Sequence, residues 1–312
     1  MTRAGRFLGL VMPLLASLLL PGAASAPARP ITVVSFNMFH GGMHPFRGGD
    51  AERLDERLAM TVGALRALDA DVAGLQEASV GRTRGDVAAR LAEALGFAHV
   101  RASARYRGFG PLARWATGFA EGPAILSRFP IRTSESIRLD ACDGWYERVL
   151  LCAVVAAPGG DVDVCSTHVA GDACQLRSLR THLRDRRTGR PLILTGDLNS
   201  VADAPGVHAL VDELGLVDAF RAANPEAPGF TVWQPVRQER PSARRRVDYV
   251  LLAPGRARSL AVRASRVVLD APRTGGDGRP LWPSDHHGVL ARVVMAPAPP
   301  AGGTTSANHH PQ

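Results

Sequence analysis

The sequence contains no lysine, and aromatic residues make up only 5% of its 312 positions. All 37 basic residues are therefore arginines, which outnumber the 29 acidic residues and give a formal net charge of +8. Because a guanidinium group is a planar fork that matches phosphate oxygens, this composition favours a phosphate-bearing partner. Codon bias in a GC-rich genome accounts for the same arginine preference without any role in binding.

Cysteine is scarce as well, with four residues, and a charged fraction of 21% stands beside a hydrophobic fraction of 46%. These values exclude a disulfide-dense miniprotein, a collagen-like fibre and a wholly disordered chain. The length is sufficient for one large α/β domain or two smaller ones. Because no long linker interrupts the interior of the sequence, we expect one domain.

The first 28 residues have the pattern of a secretory signal peptide. Arg3 and Arg6 provide a positive start, and residues 8–20 are an almost unbroken apolar run. Two A-x-A cleavage candidates follow, at residues 24–26 and 26–28. The apolar run is shorter than the roughly 20 residues that span a bilayer. We therefore expect a secreted, extracellular protein without a transmembrane anchor.

The rest of the chain divides into a folded domain and a tail. Residues 1–28 are predicted to be the signal peptide, and residues 29–296 to be the folded domain. Residues 297–312 are rich in Pro, Gly, Ala and Thr and show no periodicity, so they predict a disordered tail.

The four cysteines predict two disulfide bonds in an exported chain, with three possible connectivities. Two apolar segments joined by a tight turn at residues 158–160 read as a β-hairpin. That hairpin places Cys152 opposite Cys165, and Cys142 near Cys174. The nested pairing Cys142–Cys174 and Cys152–Cys165 is therefore preferred. A zinc site is the alternative, although the spacing contains no C-x-x-C pair.

Short apolar strands alternate with amphipathic helices between Ile31 and Met295. The predicted strands are residues 31–36, 71–76, 122–126, 147–157, 161–169, 191–195, 247–252, 262–269 and 288–294. The predicted helices are residues 51–68, 87–95, 175–186 and 204–214. Strands outnumber helices and include an antiparallel hairpin, which predicts two packed sheets with helices outside.

Polar side chains that can do chemistry fall at the ends of these strands. They are Asn37, Glu77, His168, Asp197, Asn199, Asp248, Asp285 and His286. Taken singly, each has an ordinary explanation, such as a turn cap or a solvated carboxylate, because strand-to-loop junctions favour polar residues. Taken together, they predict one site held open to solvent by the rigid ends of the strands.

The residue types favour metal-assisted hydrolysis of a phosphate ester. Glu77 and Asp285 are hard oxygen donors suited to Mg²⁺ or Mn²⁺. Asp197 and Asn199 lie two residues apart, so an extended backbone would point both at one water or phosphate oxygen.

Two histidines complete this chemistry. His286 is suited to move a proton while Asp248 accepts its other N–H and fixes the tautomer. His168 is suited to donate to a phosphoryl oxygen and to stabilise the charge that develops there.

Six short segments, taken in order, resemble the endonuclease/exonuclease/phosphatase superfamily. They are SFN at 35–37, DVAGLQE at 71–77, STH at 166–168, TGDLN at 195–199, RVDYVLL at 246–252 and SDHHGVL at 284–290. The resemblance spans about 255 residues and implies that residues 29–296 are a catalytic domain of this family. It implies an α/β fold, a four-layer α/β/β/α sandwich, with one active site at an edge of the two sheets. It also implies a divalent-metal phosphohydrolase that uses Mg²⁺ or Mn²⁺.

The same resemblance implies a role for each site residue. The implied metal ligands are Glu77 as the main ligand, helped by Asn37 and Asp285. The implied catalytic residues are Asp197 with its partner Asn199 at the water, His286 with its orienting Asp248, and His168 at the phosphate. Whether Asp197 or His286 is the general base stays open, as does the number of metal ions. Gly288 departs from the family pattern, in which proline is common, and this departure affects loop stiffness rather than chemistry.

Arginines near the site allow two interpretations each. Arg148, just before a hairpin strand, either reaches the scissile phosphate or braces a sheet. The arginine-rich run at residues 237–246 either presents phosphate-binding charge beside Asp248 or is a solvated loop.

Fold and site predict the reaction class but not the substrate. We expect a monomeric phosphodiesterase or nuclease, with nucleic acid favoured over phospholipid as the substrate because of the net positive charge. A sphingomyelinase-like phospholipid phosphodiesterase and an inositol-phosphate phosphatase are the alternatives. A membrane-acting enzyme needs an exposed apolar hairpin, for which residues 109–115 and 230–233 are candidates. A non-catalytic phosphate-binding module is a more remote alternative.

Overall fold

A computed structural model describes residues 29–39, 53–82, 84–106, 118–142, 146–186 and 188–297. The predicted signal peptide and the predicted tail from residue 298 onward lie outside the described residues. Both therefore stay predictions. Among the described helices, none combines the length and the apolar character that crossing a membrane requires.

The strands and helices are numbered here in chain order. The strands are β1 (Ile31–Asn37), β2 (Val72–Gln76), β3 (Val80–Gly81), β4 (Gly85–Asp86), β5 (Ala98–Arg101), β6 (Arg105–Tyr106), β7 (Ala124–Ser127), β8 (Ile131–Arg138), β9 (Tyr146–Glu147), β10 (Val149–Ala157), β11 (Gly160–His168), β12 (Leu192–Asp197), β13 (Val217–Asp218), β14 (Asp248–Ala253), β15 (Arg258–Val268), β16 (Arg273–Thr274), β17 (Pro280–Leu281) and β18 (Gly288–Pro297). The helices are α1 (Leu54–Ala67), α2 (Val87–Leu95), α3 (Ala173–Asp185), α4 (Pro205–Leu214) and α5 (Ala219–Ala223).

Two six-stranded sheets form the centre of the molecule. The first has the order β15-β18-β1-β2-β7-β5 and the second the order β13-β14-β12-β11-β10-β8. Apolar residues of both sheets pack together in one core between them. A second core joins α1 and α2 to the first sheet, and a third joins α3 and α4 to the second. The predicted four-layer α/β/β/α sandwich is confirmed.

Both sheets are mixed, which places strand ends and strand starts at the same edge. In the first sheet β1 runs parallel to β2 and antiparallel to β18. In the second β12 runs parallel to β11 and antiparallel to β14. All residues of β1, β2, β12 and β14 are buried, because a helix layer covers one face of each sheet and the other sheet covers the second face.

The helix ends follow from local sequence. Asp86 accepts a hydrogen bond from the backbone N–H of Ala89 and so caps the start of α2, and Gly96 ends that helix in the left-handed conformation. Asp172 caps α3 in the same way by accepting from the backbone N–H of Gln175. Asp218 accepts from two backbone N–H groups at the start of α5.

Two disulfide bonds join Cys142 to Cys174 and Cys152 to Cys165. The second bond links directly paired residues of β10 and β11, as the hairpin prediction requires. The first ties the segment after β8 to the start of α3. The preferred connectivity is confirmed, and none of the described cysteines is free for a zinc site.

The sequence prediction missed the edge strands β5, β8 and β13 and the short helix α5. Edge strands β5 and β8 have mostly exposed or half-buried residues, so they lack the apolar pattern that marks a buried strand. β15 begins at Arg258, four residues before the predicted start at residue 262. Its first four residues are exposed or half-buried, so they lack the pattern of a buried strand.

The two sheets are in close contact at Gly74 of β2. A Cβ atom on this residue would lie 2.6 Å from the Cβ of Thr195 on β12, and closer still to its hydroxyl oxygen. That hydroxyl donates to the carbonyl of Cys165 at 2.9 Å, so it is not free to turn away. Glycine at this position therefore sets the distance between the sheets.

Replacing Gly74 with alanine is expected to lower the free energy of unfolding by about 1–3 kcal/mol or more, because the added methyl overpacks a rigid contact. Urea denaturation measures this loss. Gly63→Ala is the matched control, since a Cβ there meets only the end of the Arg273 side chain at 3.8 Å and alanine favours a helix. An equal loss in both variants would contradict the close approach. Because Thr195→Gly relieves this contact, the double variant should lose less stability than the sum of the two single substitutions.

Candidate active site

The predicted site residues lie at one edge of the sandwich. His168 ends β11, Asp197 ends β12 and Asp248 begins β14, and the register pairs His168 with Asp197 and Asp197 with Asp248. Three residues that are far apart in sequence are thus direct neighbours across three strands. Asn37 ends β1 in the facing sheet, so the edge is common to both sheets.

Asp197 lies at the centre of this edge and is 1% exposed. Its Oδ2 accepts a hydrogen bond from Nδ2 of Asn37 at 3.0 Å, which bridges the two sheets. Its Oδ1 accepts from the backbone N–H of Asn199 at 2.8 Å, which forms an Asx turn, and Asn199 itself has a left-handed φ of 49°. Both oxygens are therefore fixed in direction.

Burial and the nearby charge of Asp248 raise the pKa of Asp197 from 3.8 to about 7. The positive charge of His286 and the hydrogen bonds from Asn199 and Asn37 oppose this rise but do not cancel it. Near neutral pH, Asp197 is therefore able both to bind and to release a proton.

His286 and Asp248 form a buried pair. Nδ1 of His286 lies 2.9 Å from Oδ2 of Asp248, and Nε2 lies 3.8 Å from Oδ2 of Asp197. Burial alone would lower the pKa of His286, but the negative charges of Asp248 and Asp197 outweigh it and raise this pKa well above 6.5. Oδ1 of Asp248 is buried with no hydrogen-bond partner among the described residues. The carboxylate thus fixes the ring with one oxygen only.

His168 connects the two halves of the site. Its Nε2 lies 2.8 Å from Nδ2 of Asn199 and 3.4 Å from Oδ2 of Asp197. Its Nδ1 lies 3.2 Å from a terminal nitrogen of Arg148 and 3.7 Å from Oε1 of Glu77. The ring thus lies between the Asp197 group and the Glu77 group.

Glu77 belongs to a second acidic group. It follows β2 with a left-handed φ of 54°, which turns the chain away from the strand at this point. Ligand atoms of Glu77, Glu121 and His168 all lie within 4.8 Å of one another. Glu121 is 3% exposed, and its Oε1 is 3.4 Å from Arg148. The two carboxylates are therefore close enough to bind one cation together, and Arg148 partly neutralises Glu121.

The other two predicted metal ligands lie in different surroundings. The amide oxygen of Asn37 accepts from the backbone N–H of Phe39 at 2.9 Å. Asp285 accepts from the indole N–H of Trp233 at 3.0 Å and from the hydroxyl of Ser284 at 3.3 Å. Among the described residues, Asp285 belongs to neither of the acidic groups at this edge.

A buried arginine of α1 joins the segments that carry these two residues. Arg57 is 1% exposed; its Nε donates to the carbonyl of Pro283, and its Nη2 donates to the carbonyl of Met38, both at 2.9 Å. Met38 follows Asn37, and Pro283 precedes Asp285 by two residues. One guanidinium group thus ties together the loop after β1 and the loop before β18.

The arginine-rich run at residues 237–246 serves partly as a brace. Arg246 is 5% exposed, pairs with Asp218 at 2.7 Å, and lies against the rings of Phe220 and Tyr249. Arg237 pairs with Asp277 at 3.3 Å. These two arginines are committed to structural contacts, whereas Arg240, Arg244 and Arg245 are exposed.

The donor chemistry of the edge fits a divalent cation. Two groups of three ligand atoms lie within 4.8 Å, one made of Glu77, Glu121 and His168, the other of Asp197, Asp248 and His286. Carboxylate oxygens dominate both groups, and such hard donors suit Mg²⁺ or Mn²⁺. The buried, unpartnered Oδ1 of Asp248 marks a place where a cation or proton would be stabilised.

Sequence reasoning missed Glu121 and Arg57. Glu121 precedes a strand instead of following one, and only the antiparallel pairing of β7 with β2 brings the start of β7 beside Glu77. Knowledge of this strand pairing would have identified Glu121 as a site residue. Arg57 sits within a helix among apolar neighbours, where no pattern distinguishes it from a solvated arginine.

Comparison with known proteins gives a match to one family and several matches in fold. Residues 34–286 match the model of the Endonuclease/Exonuclease/phosphatase family. A solved structure described as an endonuclease/exonuclease/phosphatase from Beutenbergia cavernae is 27% identical, with a TM-score of 0.64 over 88% of this chain and 73% of that chain. No curated protein matches the sequence at a significant level.

Two further solved structures share the fold. The human Nocturnin catalytic domain with bound sulfate is 20% identical, with a TM-score of 0.61 over 87% of this chain and 97% of that chain. A mannosyl-6-phosphatase from Bacteroides thetaiotaomicron is 19% identical, with a TM-score of 0.63 over 85% of this chain and 99% of that chain.

Proposed function

The chain belongs to the Endonuclease/Exonuclease/phosphatase family, which indicates phosphoric ester hydrolase activity, and from this premise we propose that it is a secreted, Mg²⁺- or Mn²⁺-dependent phosphodiesterase acting on nucleic acid. The observation that carries the proposal is the neighbouring placement of His168, Asp197 and Asp248, with His286 facing Asp197. In this proposal Asp197 is the proton acceptor, His286 is the oriented imidazole and His168 is the imidazole that binds the phosphate.

The cation has a defined place in this proposal. Glu77 is the main ligand, and Glu121 lies beside it. Asn37 at the end of β1 and Asp285 in the loop before β18 are assigned assisting roles, although neither belongs to the Glu77 group. When bound, a divalent cation supplies positive charge that offsets the negative charge on the phosphate in the transition state.

The chain's own residues carry the proton. Asp248 holds Nδ1 of His286, so that Nε2 is directed toward Asp197. The Asp197–His286 pair takes the proton of the attacking water and returns it to the departing oxygen. The bond from water oxygen to phosphorus forms as the ester bond breaks, and Asn199 positions the water from its turn beside Asp197.

His168 and Arg148 stabilise the negative charge that develops on the phosphoryl oxygens. Their side chains approach within 3.2 Å, and both are less than a tenth exposed. Charge-assisted donors fixed in a buried site stabilise such charge more effectively than donors in water. Arg148 also contacts Glu121, so in this proposal it serves the cation side and the phosphate side together.

The proposals of secretion and of a nucleic-acid substrate are supported by the disulfide bonds and the net charge of the chain. The two disulfide bonds support an oxidising compartment. The net charge of +8 supports a polyanionic substrate. For the lipid alternative, residues 109–115 lie outside the described residues, and residues 230–233 form part of the site edge through Trp233 and Asp285.

Metal removal tests the proposed function. The chain from residue 29 is assayed with Mg²⁺ and with EDTA on plasmid DNA, RNA, sphingomyelin vesicles, an inositol phosphate and bis-p-nitrophenyl phosphate. We expect turnover of DNA or RNA and of the generic diester, lost in EDTA and restored by added Mg²⁺. Hydrolysis of the vesicles or the inositol phosphate alone would replace the nucleic-acid proposal. No turnover of any substrate would favour a phosphate-binding module.

A further inference from the structure

An exposed tryptophan lies at the rim of the candidate site. Three large hydrophobic side chains of the described residues are exposed, and Trp233 is the most exposed of them at 64%. Its indole N–H donates to Oδ2 of Asp285 at 3.0 Å. Because the N–H is engaged, what this side chain presents to solvent is its ring surface.

The backbone holds this ring in a fixed position. The carbonyl of Trp233 accepts from the hydroxyl of Ser242 at 2.8 Å. The N–H of the next residue, Gln234, donates to the carbonyl of Asp285 at 2.8 Å, and the preceding residue bridges to His286. The ring is therefore preorganised relative to the proton-transfer residues and is not a side chain on a free loop.

Stability does not account for an indole at this position. A large aromatic side chain stabilises a fold by being buried, and most of this one remains in water. A shorter polar side chain could donate the same hydrogen bond to Asp285 without exposing apolar surface. Only 5% of the residues in this chain are aromatic, so an ordered and exposed ring beside a polar site indicates a surface that binds a ligand.

We propose that Trp233 is the surface on which a planar heterocyclic ring of the substrate, of the nucleobase type, stacks while the neighbouring phosphate occupies the site. The inference rests on the proposed function and specifies the part of the substrate that is recognised. Stacking on a tryptophan accepts every base, because each base has a π-face. Exposed Arg244 and Arg245, on the segment paired with Val232, add positive charge for the attached phosphate.

The test compares two ligands that differ only in the base. Binding of adenosine 5′-monophosphate and of ribose 5-phosphate is measured by calorimetry with Mg²⁺, in an Asp197→Asn background that prevents turnover. The parent is expected to bind the nucleotide about 5- to 150-fold more tightly. Trp233→Ala should bring this ratio close to one. Trp233→Phe, which keeps a ring but not the N–H, should retain most of it.

Phe230→Ala is the matched control, since it removes another exposed aromatic side chain, 39% exposed, from the same segment. Its ratio should equal that of the parent. A ratio near one in the parent, or an equal loss in Phe230→Ala, would overturn the assignment to Trp233. Absence of hydrolysis in the metal assay counts against the proposed function instead, and the binding ratio is measurable in either case.

Discussion

Replacing Asp197 with asparagine is expected to lower kcat by about 10²- to 10⁴-fold, the range typical of losing a positioned proton acceptor. Asparagine has nearly the same shape but neither binds nor releases a proton at neutral pH. Asparagine keeps one acceptor oxygen, so one of the bonds from Asn37 and Asn199 is retained and the side chain stays near its position. The loss of rate is therefore mainly chemical. The measurement is the steady-state rate on the substrate that the metal assay identifies.

Asp163→Asn is the matched control for Asp197→Asn. Asp163 is also a buried carboxylate of the second sheet, 2% exposed, but it pairs with Arg190 at 3.0 Å near the other end of β11. Its replacement should lower stability and leave kcat unchanged, because it removes the negative charge of a buried carboxylate that pairs with Arg190 far from the site. Near-normal turnover in Asp197→Asn would refute its proposed role.

The same substitution should not lower the melting temperature of the metal-free protein. Burial and Asp248 raise the pKa of Asp197 to about 7, so the ionised carboxylate costs the folded state free energy above that pH. Asparagine removes this cost, which offsets the one acceptor bond that the substitution loses. Unfolding of the metal-free protein is therefore expected at an equal or higher temperature at pH 8.

Removing both disulfide bonds is expected to lower the free energy of unfolding by about 6 kcal/mol, about 3 kcal/mol for each bridge. This is a large share of the 5–15 kcal/mol that typically stabilises a domain. The bridges close loops of 32 and 13 residues, and the loop of the second is nested in that of the first. Urea denaturation with and without reductant measures the loss.

The two bridges should respond differently to reductant. Cys152 and Cys165 are fully buried, whereas Cys142 and Cys174 are half-buried, so mild reductant should open the Cys142–Cys174 bond first. A variant with all four cysteines replaced by serine is the control and should show no further effect of reductant. Four free thiols in protein purified without reductant would contradict both bonds.

The buried strands and the site could be predicted from sequence because both produce strong patterns. The β10–β11 hairpin is a continuous apolar run broken by one tight turn, and its local register fixed the Cys152–Cys165 pair. The residues at strand ends fell together because mixed strands bring starts and ends to one edge. Their individual roles remain predictions.

What the sequence could not supply depends on contacts between distant segments. β8 is exposed on most of its residues, so only pairing with β10 identifies it as a strand. Glu121 joins Glu77 through the pairing of β7 with β2. The sequence identified Trp233 only as part of residues 230–233, a candidate for a membrane-contacting hairpin. Its hydrogen bond to Asp285 became evident from the fold.

The pairing of β1 with β18 has a consequence for the order in which the molecule can form. Ile31 pairs with Val293, so the first sheet joins the beginning of the folded chain to its end. Contacts with such a large sequence separation carry a high loop-closure cost and form slowly. Asp285 and His286 lie just before β18. During synthesis, the candidate active site therefore cannot assemble until β18 has emerged.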